Sequence, residues 1–323
     1  MKINLSTMLF YTTMILGIVM SISSNNWIMM WCGLEISLVS IIPLMISKLV
    51  ISSESVMKYF IVQSVSSTML MLSMMVMVMS GDYNYNYLLV SSLLIKMGVV
   101  PFHNWVLTVL EGLDLMMVFI ILTINKIAPL TLLSYVMKGV TIIIIITVVL
   151  GSTMGLNQNS VKKVIGYSSI FNMGFIITVL KFNWMWMLYM MVYSMLMIML
   201  MLILMINKIM HINQMIFIEM LINKMSMWVV LLSMGGLPPL IGFSIKYMVM
   251  LHMISMKIMS VMLLMLLTSL IVMFFYLRMT FLSIMSNSTT LTTKMFELNE
   301  ISSMIMLINL IMLPIIISMK MFY

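Results

Sequence analysis

The chain has 323 residues, of which 63% are hydrophobic and only 7% charged, and its mean hydropathy is +1.22. Soluble domains carry about 25% charged residues, so this composition excludes a water-soluble fold and calls for a surface that meets lipid. The net charge of +8 comes from basic residues scattered between apolar runs, which excludes the clustered patch of a nucleic-acid binder, and Cys32, the only cysteine, excludes an internal disulfide and a thiolate-held iron–sulfur cluster.

A membrane-crossing helix needs about 20 apolar residues, and segments of that length recur from end to end. They lie at 3–23, 26–47, 56–79, 87–110, 115–137, 140–156, 161–180, 184–206, 226–252, 257–282 and 301–322, about eleven spans. The first reads as a retained helix, because no small-residue cleavage site follows it. Short linkers hold the polar residues: Ser52-Ser53-Glu54, Gly81-Asp82-Tyr83-Asn84, Asn157-Gln158-Asn159 and the Ser/Thr-rich stretch 286–294. The expected fold is therefore all-α, an integral membrane protein formed as one membrane domain. With residue 1 on one side, Lys2, Lys48, Lys58, Lys162, Lys163, Lys208, Lys224, Arg278 and Lys294 fall on that side, and Lys138, Lys181, Lys257 and Lys320 on the other. The excess makes the first side the cytoplasm-like one, with the C-terminus opposite.

Four charges do not fit the linkers. Glu35, Lys96, Lys126 and Lys246 fall inside apolar runs, where each costs roughly 2.5–3.5 kcal/mol on insertion scales. A lysine so placed either snorkels to the interface, forms a structural ion pair, or carries protons. Two of the spans holding these lysines also carry helix-breaking residues. Pro101 follows Lys96 by five positions and is expected to leave the Met97 carbonyl without its donor. Span nine contains Gly235-Gly236-Leu237-Pro238-Pro239, with Lys246 two turns on. Irregular backbone is expected at about 95–103 and 235–239, and such backbone at membrane depth is tolerated only where protein or a polar cavity satisfies it. The two breaks fall fourth in spans one to five and fourth in spans six to ten. Two odd-numbered runs insert with opposite topology, so the expectation is a pair of inverted five-helix repeats, 1–138 and 139–283, followed by a C-terminal loop and helix at 284–323. His103, just beyond Pro101, is a further candidate for proton transfer on its ordinary titration range. No metal-ligand spacing, nucleophile–base pair or phosphate-binding glycine loop is present.

Six motifs in order carry a resemblance. They are Gly33-Leu34-Glu35; Ser53-Glu54 with Lys58-Tyr59-Phe60 and Gln63; Lys96-Met97-Gly98 with Pro101-Phe102-His103-Asn104-Trp105; Lys126-Ile127-Ala128-Pro129; Leu156-Asn157-Gln158 with Lys162-Lys163 and Tyr167-Ser168-Ser169-Ile170; and Gly235-Gly236-Leu237-Pro238-Pro239 with Gly242-Phe243 and Lys246. In these the chain resembles the subunit 2 family of mitochondrial respiratory complex I, one of the antiporter-like membrane subunits of NADH:ubiquinone oxidoreductase. The abundance of Met and the single alanine, Ala128, fit an AT-rich genome that reads an extra isoleucine codon as Met, as animal mitochondria do.

The resemblance implies a proton-translocating subunit of the mitochondrial inner membrane, its N-terminus on the matrix side and its C-terminus on the intermembrane side. It implies that Glu35 pairs with Lys96, that Lys126 is the central connecting lysine, and that Lys246 belongs to the second broken helix. No cofactor is expected on this chain; NADH, FMN, iron–sulfur clusters and ubiquinone are expected on other subunits. The implied partners are other membrane-arm subunits, with the antiporter-like subunit 4 and subunit 4L as neighbours, accessory subunits, and lipids including cardiolipin; no nucleic acid is implied. Two positions depart from the family pattern: Asn172 stands where His is usual, and Asn104 where an aromatic is usual. Two other readings are a stand-alone cation/proton antiporter and a non-pumping structural subunit of the membrane arm.

Overall fold

A computed structural model describes residues 4–47, 50–80, 86–136, 140–218, 220–285 and 300–319. The loop at Gly81-Asp82-Tyr83-Asn84, the 286–294 linker, and Lys2, Lys48, Lys138, Lys294 and Lys320 from the charge reading lie outside them. Among the described residues the regular structure is helical, apart from one antiparallel bridge between Ser160 and His211. The chain divides into two compact units, Met1–Ile143 and Ile144–Tyr323.

The first unit holds α1 (Leu5–Ser23), α2 (Trp27–Met45), α3 (Val50–Ser80), α4 (Asn86–Met97), α5 (Asn104–Gly112), α6 (Leu115–Leu122) and α7 (Ile124–Val136). α1 and α2 touch backbone to backbone. A Cβ at Gly17 would lie 2.8 Å from the Gly33 carbonyl oxygen, and one at Gly33 would lie 2.7 Å from that of Gly17. Small residues one turn on, Ser21 and Ser37, extend the seam, which is how helices approach when lipid offers no hydrophobic drive. Two residues past Gly33 is about 200° around the helix, so Glu35 faces away from α1.

The second unit begins within α8 (Thr141–Thr153) and continues with α9 (Val161–Thr178), α10 (Asn183–Asn207), α11 (Leu221–Gly235), α12 (Ile241–Ser255), α13 (Met259–Met285) and α14 (Glu300–Met319). α9 is buried around nearly its whole circumference, so Tyr167, Ser168, Ser169 and Asn172 sit on a helix enclosed by protein. Arg278 of α13 donates to the carbonyls of Leu156 and Gln158, both at 2.7 Å, and closes the polar turn that precedes α9. Arg278, expected among the orienting charges at the interface, thus also ties two elements together, and Lys224, expected there too, is buried at the start of α11.

The expected spans map onto this order. Span four is α4 plus α5, and span nine is α11 plus α12, so both expected breaks are present and both lie fourth in their run. Both are built by the same device, a glycine in the left-handed region. Gly98 has φ +69, with bonds from Gly98 N to Ile95 O (3.1 Å) and from Val99 N to Leu94 O (3.1 Å). Gly236 has φ +92, with Gly236 N to Ser233 O (3.1 Å) and Leu237 N to Leu232 O (3.2 Å). This is the Schellman cap, in which the two residues after the helix bond back to its last turn. In each break a proline follows the glycine by three positions, Pro101 and Pro239. The helix is thus ended by glycine, and the proline lies in the connecting turn rather than kinking a running helix. The Met97 carbonyl receives no hydrogen bond among the described residues, as expected, but because the chain has already left the helix. Span five carries an interruption the sequence reading lacked: α6 stops at Thr123, whose Oγ1 bonds back to Phe119 O at 2.7 Å, and α7 restarts at once.

Candidate proton-carrying sites at the helix breaks

All three lysines are buried, with 6% of Lys96, 4% of Lys126 and 5% of Lys246 exposed. Snorkelling to an interface is therefore not what these side chains do. Each sits at a helix interruption: Lys96 two residues before Gly98, Lys126 three residues after Thr123, and Lys246 against the end of α11. A helix end supplies backbone groups that the helix itself leaves unsatisfied, and those groups solvate a charge where lipid cannot.

At the first break the end of α4 is capped by side chains from elsewhere. Trp105 Nε1 on α5 donates to Ile95 O at 3.1 Å, and Gln63 Nε2 on α3 donates to Lys96 O at 3.3 Å. Tyr59 packs its ring 5.9 Å from that of Trp105, and its hydroxyl accepts from Asn125 Nδ2 at 3.0 Å. Lys96, Gln63, Tyr59, Asn125, Ser37 and Pro129 line a cavity of ≈ 10 Å³, at the threshold for one water. Lys126 is the next residue after Asn125 on α7. Glu35 acts on Lys96 and Tyr59 through its field, but Glu35 and Lys96 form no ion pair within 4.0 Å. One carboxylate oxygen of Glu35 is sealed from solvent without a hydrogen bond. His103 is half-buried as the N-cap residue of α5 and lines neither lysine cavity.

At the second break the lysine itself is the cap. Of the last four carbonyls of α11, those of Leu232 and Ser233 are taken by the Schellman turn. The remaining two, Met234 and Gly235, accept from Lys246 Nζ at 3.0 and 2.9 Å. The ammonium lies at the negative end of the α11 dipole and 5.5 Å from the centre of the Phe171 ring, both favourable to its charge. Lys246, Asn172, Tyr189, Tyr193, Ser233 and Gly242 share a cavity of ≈ 20 Å³, room for about one water. Close packing fixes this corner: a Cβ at Gly242 would lie 1.7 Å from Ser233 O.

The charged members of these sites stand out in the sequence more than the polar ones do. Tyr59 and Gln63 carried a signal, since both belong to one of the six motifs; Tyr189 and Tyr193 carried none beyond their one-turn spacing on an apolar helix. Among the described residues no group of three His, Cys, Asp or Glu is placed to hold a metal.

Comparison with known proteins fits this geometry. The family described as "NADH:quinone oxidoreductase/Mrp antiporter, TM" matches residues 24–88 and 82–272. NADH-ubiquinone oxidoreductase chain 2 of Anopheles gambiae is 37% identical over 267 residues, which are 78% of each chain. The chain 2 protein of Mus musculus is 34% identical over 268 residues, 76% of this chain and 77% of that one. Among solved structures, a chain of respiratory complex I from Thermus thermophilus with bound aureothin superposes with a TM-score of 0.83 at 19% identity, covering 97% of this chain and 78% of that chain, which shows the shared fold. The chain belongs to the chain 2 family of antiporter-like membrane subunits of NADH-ubiquinone oxidoreductase.

Proposed function

We propose that this subunit moves protons through the mitochondrial inner membrane on Lys96, Lys126 and Lys246, driven by electron transfer elsewhere in NADH:ubiquinone oxidoreductase. The observation that carries the reading is the placement of Lys96, Lys126 and Lys246, all buried, at helix interruptions. A lysine kept only for packing needs no broken helix, whereas one that gains and loses a proton needs groups that satisfy both its forms. In the first unit Glu35 modulates the relay at Lys96, and Gln63, Tyr59 and Asn125 extend the polar path toward Lys126. In the second unit Lys246 exchanges protons at its cavity. The repeats are taken as 1–138 and 139–283, with 284–323 as a C-terminal appendage, and the N-terminus on the matrix side. Other membrane-arm subunits are the partners, with antiporter-like subunit 4 and subunit 4L adjacent, and cardiolipin among the bound lipids. Redox groups belong to other subunits.

The test is migration on a native gel followed by proton pumping in sealed vesicles. A large assembly that oxidises NADH, and whose pumping falls when Lys96, Lys126 or Lys246 is replaced, supports the proposal. A small free particle exchanging cations for protons would make the chain a stand-alone antiporter, and pumping indifferent to all three lysines would leave it a structural subunit.

A further inference from the structure

The second break fixes where Lys246 can lose a proton. Two of the three N–H groups of its ammonium are held by Met234 O and Gly235 O at 3.0 and 2.9 Å. A neutral amine keeps two N–H groups and gains a lone pair. Both carbonyls therefore stay satisfied in either protonation state, and only the third position changes. Its open side is the cavity shared with Asn172, Tyr189, Tyr193 and Ser233.

The polar groups of that cavity are not equivalent. Tyr189 Oη donates its proton to Asn172 Oδ1 at 2.9 Å, and Ser233 Oγ donates to Val230 O at 2.7 Å. Both hydroxyls have their protons committed to other protein groups and keep acceptor capacity for the cavity. A water in this space can place its hydrogens on these two acceptors and turn its own lone pair to the lysine. Asn172 has no second titration step and cannot pass a proton on, so it orients rather than relays.

We propose that Tyr189 and Asn172 are positioning residues that hold the one water through which Lys246 exchanges its proton. This rests on the reading of Lys246 as a proton carrier. In the step, one Nζ–H bond breaks, its electron pair stays on nitrogen, and an O–H bond forms on the water, so that R-NH3+ and H2O become R-NH2 and H3O+; loading is the reverse. Tyr193, one turn along α10, is the next hydroxyl on the path.

The test uses the assembled complex in sealed vesicles, with protons translocated per NADH oxidised and the H2O/D2O rate ratio of coupled turnover as readouts. Tyr189→Phe and Asn172→Leu are expected to show at least half the loss of stoichiometry seen with Lys246→Gln, and a changed isotope ratio. Asn172→His, which keeps an acceptor for Tyr189, is expected to retain near-parental stoichiometry. If Lys246→Gln lowers the stoichiometry while Tyr189→Phe and Asn172→Leu match the parent in both readouts, the inference is overturned and the carrier role of Lys246 stands. An unchanged Lys246→Gln removes the carrier role itself. Should Tyr189→Phe fail to assemble, the Asn172→Leu and Asn172→His pair decides by the same readouts: equal values overturn the inference, and a deficit confined to Leu supports it.

Discussion

Replacing Lys246 by Met removes a charge and two hydrogen bonds together, and the two effects oppose each other. Taking a lysine charge out of a membrane interior returns roughly 2.5–3.5 kcal/mol. The carbonyls of Met234 and Gly235, which Lys246 caps, are then left without a donor at a buried helix end. Each unsatisfied acceptor costs about 1–3 kcal/mol, so the pair costs about 2–6. The balance is a net destabilisation of about 1 kcal/mol, even though Met suits an apolar site by size. Lys246→Gln removes the charge but keeps an amide donor, and is expected to assemble close to the parental level. Both variants lack a group that can hold an extra proton, so both are expected to lose pumping. Assembly is read from native gels and the midpoint of thermal inactivation; pumping is read as protons per NADH in sealed vesicles. Equal assembly and equal midpoints for Met and Gln would refute the capping role, and parental stoichiometry in either variant would refute the proton-carrying role.

Gly98→Ala places a side chain at φ +69, which costs about 1–2 kcal/mol, and puts its Cβ 2.1 Å from Val106 Cγ2. It is expected to lower the amount of assembled complex more than Gly236→Ala, and a smaller loss than that variant would count against the cap. Gly236→Ala meets only the Lys246 side chain, at 3.2 Å from Cδ and 3.3 Å from Nζ, so it is expected to reduce pumping by shifting the ammonium; an unaltered proton-to-NADH ratio would contradict this. For Glu35→Gln with Lys96→Met, a double-mutant cycle on thermal stability is expected to give a coupling well below the roughly 3–5 kcal/mol lost when a buried contact pair is broken. A coupling in that range would show that the two side chains meet directly.

Much of the site was legible because its members are chemically out of place. A lysine in an apolar span stands out, and so does Gly-Gly-Leu-Pro-Pro in a helix. Those signals located both breaks and all three lysines. What they could not give was the agent of each break. Proline is the stronger breaker in a running helix, so Pro101 drew attention, yet Gly98 ends α4 and Pro101 lies beyond the end. The interruption at Thr123 was hidden because threonine is an ordinary helix residue until its hydroxyl finds a carbonyl of the preceding turn. The expected Glu35–Lys96 contact failed on geometry that spacing along two different helices does not encode. Tyr189, Tyr193 and Asn125 are polar but uncharged; isolated on apolar helices, they gain meaning only once the fold places them beside a lysine.

The shared cap of the two breaks makes their difference informative. Gly98 and Gly236 end their helices in the same way, each with a proline three residues on. The lysines nevertheless sit on opposite halves: Lys96 on the helix that ends, Lys246 on the helix that begins. At the first break Gln63 and Trp105 take the carbonyls of Lys96 and Ile95, and the Lys96 ammonium caps none of the last turn. At the second break no other side chain takes the two remaining carbonyls among the described residues, and Lys246 is tied to them. A charge that is free of capping can change its partners when its protonation changes. A charge that caps cannot leave without exposing two acceptors, so on the proposed function it exchanges its proton in place. The same backbone turn, used twice with the lysine moved across it, therefore yields one site whose lysine leaves the helix end to other side chains and one whose lysine is the cap itself.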